Sequence, residues 1–108
     1  MAFRILGQGR PSSGIGTYEE IGAHAASTAW VISTITLCNT DVTLADAFIV
    51  AVKTGAGAPS ANNIIYRGTI PPEESFVITN GITLAYGEHL YVATGAGRIT
   101  ATAFGDES

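Results

Sequence analysis

The sequence has few charged residues and a single cysteine, and both shortages limit what the protein can be. Only 13% of its 108 residues are charged, against roughly 25% in an average domain. With so few charges for its surface, we expect part of that surface to be covered by partners, unless threonine, serine and asparagine supply the polarity instead. Cys38 has no second cysteine, which excludes an internal disulfide. We expect it to behave as a small buried hydrophobe.

Basic clusters and long apolar runs are also missing. The five basic residues are scattered and the net charge is −4, so we expect no nucleic-acid partner. No segment approaches the run of about 20 apolar residues that a membrane helix needs. The first residues lack the apolar run of a signal peptide. We therefore expect no membrane partner, and synthesis in a cytoplasm.

No motif predicts catalysis or metal binding. His24, His89 and Cys38 are the candidate soft ligands, and they are too far apart in sequence to show a metal-ligand spacing. The paired carboxylates Glu19–Glu20 and Glu73–Glu74 point apart in an extended chain, and no Gly-x-Ser-x-Gly sequence occurs. We therefore predict a protein that is not an enzyme, with no catalytic residue, no metal and no cofactor. We expect His24 in a loop and His89 facing solvent.

The chain instead contains short apolar segments separated by glycine, proline and asparagine turn signals. Thr28–Asn39 is the strongest, because β-branched and aromatic residues fill it. Apolar residues occupy both of its alternating faces, which predicts a central strand covered on both sides. One predicted face holds Val31, Ile35 and Leu37, and the other holds Trp30, Ile32 and Cys38.

Six further segments and one weak one share this strand character, and none shows helical spacing. They are Ala45–Thr54, Asn63–Ile70, Ser75–Thr79, Ile82–Leu84, His89–Thr94 and Arg98–Phe104, with the weak segment at Thr17–His24. About seven to eight short strands, spaced roughly ten residues apart, predict an all-β fold. The expected architecture is an antiparallel β-sandwich, jelly-roll-like, over residues 17–108.

Residues 1–16 differ from the rest in composition. Glycine, serine and proline dominate residues 7–16, which cannot bury enough apolar surface to order themselves. Phe3, Ile5 and Leu6 form an apolar cluster ahead of them, which a merely frayed terminus does not need. We therefore predict an extended N-terminal arm that orders against a neighbouring subunit, with Arg4 and Arg10 available to pair with acidic groups.

Aromatic residues give the last sequence signal. Trp30 lies in the richest strand, which favours core packing over a ligand platform. Tyr66, Tyr86 and Tyr91 are predicted to form an oligomer interface, where tyrosine is enriched.

The overall layout carries the most specific signal. Short sequences mark its successive parts: Ile5-Leu6-Gly7-Gln8, Leu37-Cys38-Asn39-Thr40, Ile70-Pro71-Pro72 and Gly81-Ile82-Thr83-Leu84-Ala85-Tyr86-Gly87-Glu88. Over essentially the whole chain this layout resembles small virion proteins of tailed bacteriophages. In particular it is similar to capsid cement, or decoration, proteins. The resemblance implies a β-sandwich that oligomerises, with a homotrimer favoured, and that clamps major capsid protein subunits.

The expected function is therefore that of a head decoration protein on the outer capsid surface. Its expected contact residues are Phe3, Arg4, Ile5, Leu6 and Arg10. Two alternatives remain open. One is a tail, baseplate or fibre-associated β-sandwich module that contacts host glycan. The other is a free carbohydrate-binding or enzymatic domain.

Overall fold

A computed structural model describes residues 4–22, 29–55 and 57–107. These residues form nine β-strands and one 3-10 turn at Ala61–Asn63. None of the helical structure in the described ranges is long and apolar enough to span a membrane. The strands are β1 (Arg4–Gly9), β2 (Glu19–Glu20), β3 (Trp30–Asn39), β4 (Asp46–Thr54), β5 (Ile64–Ile70), β6 (Ser75–Ile78), β7 (Ile82–Leu84), β8 (Glu88–Thr94) and β9 (Ile99–Glu107).

The strands form two antiparallel sheets packed as a sandwich. The first sheet has the order β1-β9-β3-β6, with β7 also paired to β3, and the second has the order β2-β8-β4-β5. The chain crosses repeatedly from one sheet to the other, so most paired strands are distant in sequence, whereas β4 and β5 are consecutive in the chain and paired. With β6 and β7 counted as one interrupted strand, each sheet has four strands in the order of a jelly roll. The predicted all-β sandwich is confirmed.

A β-bulge in β3 decides which side chains of this central strand enter the core. The register of β3 against β9 shifts between Ile32 and Thr34. Trp30 and Ile32 are buried before the shift, and Ile35 and Leu37 are buried after it. The bulge adds one residue and so reverses the alternation of side chains along the strand. All the large core residues of β3 therefore face the same side.

This bulge overturns the predicted faces of β3. Val31 was expected to share a face with Ile35 and Leu37, yet its side chain is 49% exposed on the opposite side. Cys38, which was expected to be a small buried hydrophobe, is only half-buried. β3 is central in its sheet, but only one of its faces is covered by the second sheet.

The core lies between the two sheets. Trp30 is 2% exposed, and its indole Nε1 donates a hydrogen bond to Glu107 Oε2 at 2.8 Å. The predicted core role of Trp30 is confirmed. The other large side chains that are fully buried include Ile32, Ile35, Leu37, Val50, Leu84, Leu90, Val92 and Ile99.

The N-terminal segment is part of the sandwich, so the predicted detached arm at residues 1–16 is wrong for the described part. β1 pairs with β9 from Arg4 to Gly9, and Leu6 is 7% exposed within the core. The absence of a side chain at Gly7 permits close packing, because a Cβ there would lie 2.6 Å from the backbone oxygen of Ile21. Backbone pairing orders this glycine-rich segment without burial of many side chains. Phe3 lies outside the described residues.

The chain after β1 joins the two sheets. Pro11 is fully buried, and Ser13 forms a parallel bridge to Thr94 of β8. The amide of Gly14 donates to the backbone oxygen of Thr94 at 3.0 Å. Residues 10–16 thus cross from the edge of the first sheet to the second, and the sandwich begins at β1 rather than at residue 17.

Candidate protein-docking surfaces

The outer face of the first sheet is the first candidate surface. Along β9, the side chains of even-numbered residues point away from the core. Ile5 of β1 lies opposite Phe104 of β9, and Gln8 Nε2 donates to Thr102 Oγ1 at 3.0 Å. We call this surface the docking face and define it by six residues: Ile5, Gln8, Val31, Thr102, Phe104 and Asp106.

Apolar side chains are exposed together in one half of the docking face. Ile5 and Val31 are each 49% exposed, and Phe104 is 36% exposed. A shallow open groove of about 450 Å³ lies here, lined by Arg4, Ile5, Ser33 and Phe104. Adjacent exposed apolar side chains rimmed by polar groups are typical of protein interaction sites.

The structure separates the residues that the sequence grouped as arm contacts. Arg4 and Ile5 line the groove, and the Arg4 guanidinium forms an ion pair with Glu107. Arg10 lies at the other end of the face, where its NH2 donates to Thr40 Oγ1 at 2.8 Å and more weakly to Thr100 Oγ1 at 3.5 Å. Leu6 is buried in the core and offers no surface, so its predicted role as a contact residue is wrong.

The turn between β3 and β4 is the second candidate surface. It comprises residues 40–45, and two of its apolar side chains project into solvent. Val42 is 67% exposed and Leu44 is 52% exposed. We call these two residues the apolar tip. Exposed apolar side chains on a turn add little to the stability of the fold. The hydrogen bonds that hold the turn therefore bear on whether it presents these side chains to a partner.

Buried Asn39 supports the apolar tip from below. Its side chain is 0% exposed. The amide Nδ2 donates to the backbone oxygens of Leu44 and Ile70, both at 3.0 Å. Its Oδ1 accepts from the amide of Asp41 at 3.0 Å. One buried side chain therefore ties both ends of the turn to the end of β5.

Asp41 holds the turn from within. Its Oδ1 accepts from the amides of Thr43 at 2.8 Å and Leu44 at 2.9 Å. These hydrogen bonds, the amide of Thr43 first, lower the pKa of the Asp41 carboxyl below its usual value, and the nearby charge of Arg98 adds to the effect. Arg98 Nε lies 3.3 Å from Asp41 Oδ2. A carboxylate that accepts several amides locks a turn in one conformation.

A buried carboxylate fixes the adjacent turn between β8 and β9. Asp46 is 4% exposed. It accepts from the amides of Ala96 at 2.8 Å and Arg98 at 3.0 Å. The backbone oxygen of Arg98 in turn accepts from the amide of Thr40 at 2.9 Å. The apolar tip is thus one part of a tightly hydrogen-bonded end of the sandwich.

The three tyrosines predicted as an interface do not form a common surface. Tyr66 lies opposite Val50 of β4, whereas Tyr91 lies opposite the next residue, Ala51. Since successive residues of a strand face opposite sides, Tyr66 and Tyr91 lie on opposite faces of the second sheet. Tyr66 packs against the core. Tyr86 is 67% exposed in the turn before β8.

His89, Glu19 and Glu20 lie apart from both candidate surfaces, around the pairing of β2 with β8. His89 Nδ1 is 2.7 Å from Glu20 Oε2, so His89 is paired across β2 and β8 rather than simply facing solvent. Glu19 accepts from the amide of Ser12, which lowers the pKa of the Glu19 carboxyl. Within the ranges that the structure describes, no three of the side chains of His, Cys, Asp and Glu are placed to hold a metal ion. His24 lies outside those ranges.

Sequence reasoning recognised the turn at residues 39–41 but missed the apolar tip. The available signal was the occurrence of Val42 and Leu44 between two aspartates, in a segment that polar residues would be expected to fill. No such signal in the sequence indicated that Phe104 belongs to the docking face, because its place there depends on the pairing of β1 with β9. No family model, curated protein or solved structure matches this chain.

Proposed function

We propose that this protein is a structural component of a bacteriophage particle, a head decoration protein that binds the major capsid protein through its apolar tip. It acts by surface complementarity, without chemistry of its own. In this role it is located on the outer surface of the capsid.

The observation that carries the proposal is the rigid exposure of Val42 and Leu44. Asn39 and Asp41 supply hydrogen bonds that hold the turn in a single conformation. A partner that covers both side chains gains the free energy of burying their exposed fractions, 67% for Val42 and 52% for Leu44, which is about 1–2 kcal/mol for each. Because the turn is already ordered, little conformational entropy is lost on binding.

Two further features support a place in a virion. The layout of the sequence resembles that of phage decoration proteins. The strand order is that of a jelly roll, an architecture that occurs in viral capsid domains and also in lectins. The jelly roll supports the proposal by analogy of fold, since a fold by itself does not assign a function.

Binding to expanded capsids that lack the protein tests the proposal. The wild-type protein is expected to sediment with such capsids. Leu44→Asp and Val42→Asp are expected to weaken capsid binding about tenfold or more each, because a charge replaces a buried apolar contact. Thr69→Asp is the matched control, since Thr69 is exposed on β5 of the second sheet. It is expected to bind as the wild type does.

Two results would overturn the proposal. One is binding to purified tails but not to heads, which would favour the tail or fibre-associated module. The other is undiminished capsid binding by both tip variants, which would remove the apolar tip from the contact. A glycan array with the same proteins tests whether the protein is a lectin. A lectin would bind glycan in the absence of any phage component.

A further inference from the structure

We propose that Asn80 is a self-modification site, at which the backbone nitrogen of Gly81 attacks the side chain of Asn80 and converts it to aspartate and isoaspartate. The site lies in residues 79–81, between β6 and β7. The inference concerns a part of the molecule other than the apolar tip and does not depend on the proposed function.

The pair Asn80-Gly81 is distinctive within the sequence. The chain has four asparagines, and Asn80 is the one that glycine follows. In the reaction the nitrogen of residue 81 must approach Cγ of Asn80 and close a five-membered ring. A side chain on residue 81 hinders that approach, whereas glycine has none and adopts a wide range of backbone conformations. Gly81 already has a positive φ of 75°.

The turn leaves both reacting groups accessible. Asn80 and Gly81 are exposed. Apart from its chain neighbours, a Cβ at position 81 would meet only the backbone oxygen of Ile32, at 4.0 Å. Among the backbone hydrogen bonds that the described ranges contain, none is donated by the amide of Gly81. The attacking nitrogen can therefore move without breaking a rung of the sheet.

The chemistry needs only water. The Gly81 nitrogen loses its proton and bonds to Cγ of Asn80, the Cγ–Nδ2 bond breaks, and Nδ2 leaves as ammonia with that proton. Water then opens the cyclic imide. Attack at Cγ gives aspartate, and attack at the backbone carbonyl carbon gives isoaspartate, in which the chain runs through Cβ and Cγ. Proximity within one chain favours the ring closure.

The side chain of Asn80 makes a contact that the reaction changes. Its Nδ2 donates a hydrogen bond to the hydroxyl of Tyr66, which ties the turn to β5, the edge strand of the second sheet. Nδ2 is the atom that leaves, and the carboxylate that replaces the amide has no donor. The modification therefore removes this hydrogen bond and adds one negative charge beside Tyr66.

The place of the turn determines the effect on the fold. Ile78 of β6 lies opposite Ile35 of β3, and Ile82 of β7 lies opposite Ile32. Residues 79–81 thus run beside the bulge of β3 and keep two short strands in register on it. Isoaspartate adds one backbone atom to this connection, so one of the two strands must shift. The isoaspartate form is expected to unfold at a lower temperature than the unmodified protein.

Incubation of the folded protein in mildly alkaline buffer at physiological temperature tests the proposal. Peptide mapping by mass spectrometry is expected to show a gain of about 1 Da at Asn80, the difference between NH2 and OH. The expected rate is at least about tenfold above that at Asn62. Asn62 is the internal control, because it is exposed and asparagine follows it. Ammonia release should match the amount of product, and the rate should rise with pH because the attacking nitrogen must lose its proton.

Two variants test the mechanism. Asn80→Gln keeps the side-chain amide but would need a six-membered ring, and Gly81→Ala places a methyl group beside the attacking nitrogen. Each is expected to lower the rate at position 80 at least about tenfold. A positive φ strains alanine, so circular dichroism checks that Gly81→Ala is folded. If it is not folded, Asn80→Gln alone provides the comparison.

Three results would overturn the proposal. The first is an Asn80 that stays intact in the folded protein, and the chain unfolded in guanidinium chloride then shows whether the fold prevents the reaction. The second is an equal rate at Asn80 and Asn62. The third is an undiminished rate at position 80 in Asn80→Gln.

Discussion

The backbone oxygen of Val31 occupies the space beside Gly105 so closely that a Cβ at position 105 would lie 2.0 Å from it. Gly105 lies in β9 opposite Ile32, next to the point where the register of β3 shifts. At the bulge, the backbone of β3 thus contacts β9 at the one position of β9 that has no side chain. Since the bulge decides which residues of β3 enter the core, this contact helps determine the core of the whole sandwich.

Substitution of Gly105 is therefore expected to be severely destabilising. Gly105→Ala should lower the free energy of unfolding by about 3 kcal/mol or more, because either the bulge or β9 must move. Urea unfolding measures the change. Gly16→Ala is the matched control, since a Cβ at position 16 meets nothing within 4 Å, and its effect should be within about 0.5 kcal/mol. Equal stabilities of the two variants would contradict the close contact.

The neighbours Leu6 and Ile5 distinguish a strand of the sandwich from a detached arm. Leu6 is 7% exposed and Ile5 is 49% exposed. Leu6→Ala should destabilise the fold by about 2–4 kcal/mol, as large-to-small changes in a core do. Ile5→Ala should cost less than about 1 kcal/mol. Thermal and urea unfolding compare the two variants, and a negligible effect of Leu6→Ala would support the arm after all.

Deletion of residues 1–16 is expected to unfold or severely destabilise the protein. The deletion exposes the edge of β9 and removes buried Leu6 and Pro11. Circular dichroism and thermal unfolding of the truncated protein test this expectation. A truncated protein as stable as the full chain would show that β1 contributes nothing to the sandwich.

Asn39 is expected to affect both stability and the apolar tip. Asn39→Ala leaves the backbone oxygens of Leu44 and Ile70 without its two hydrogen bonds, at a cost of about 2–4 kcal/mol. Asn39→Asp should be at least as damaging, because it loses both donors and adds a buried charge. Asn62→Ala, at an exposed position, should leave the free energy of unfolding unchanged within about 0.5 kcal/mol. Urea unfolding of the three variants provides the comparison.

Acid is expected to destabilise the protein through Asp41 and Glu19. The pKa of each carboxyl is lowered in the folded state, from usual values of 3.8 and 4.5, by hydrogen bonds from backbone amides. The unfolded chain then binds protons at a higher pH than the folded protein does. The stabilisation is therefore present above the unfolded pKa, and is lost as the pH falls through the lower folded pKa.

Unfolding measured from neutral pH to about pH 2.5 should show this loss below the usual pKa values. Asp41→Asn and Glu19→Gln should each give a shallower dependence of stability on pH, because one titrating carboxyl is gone. A variant whose pH dependence matches that of the wild type would show that its carboxyl does not contribute.

Local sequence determined the strands well, because alternating β-branched and aromatic residues between turn residues suit few other structures. The predicted segment Ile82–Leu84 matches β7, and Ala45–Thr54 differs from β4 by one residue. The turn at residues 39–41 was also predicted from the sequence. Composition alone gave the wrong expectation for the N-terminal segment. Its many glycines predicted a segment without stable structure, but β9 supplies hydrogen-bond partners for its backbone.

The sequence by itself thus determined that the protein is an all-β sandwich, and where most of its strands begin and end. Only the tertiary structure decided which face of β3 is buried. The apolar residues at 30 and 32 and again at 35 and 37 fit a strand covered on both faces as well as a bulged one, and the bulge depends on the strand opposite. It also decided that Ile5 and Phe104 share a surface, although 99 residues separate them in sequence, from 5 to 104. Contacts between distant strands arise from the pairing of whole sheets, and no local pattern carries that information.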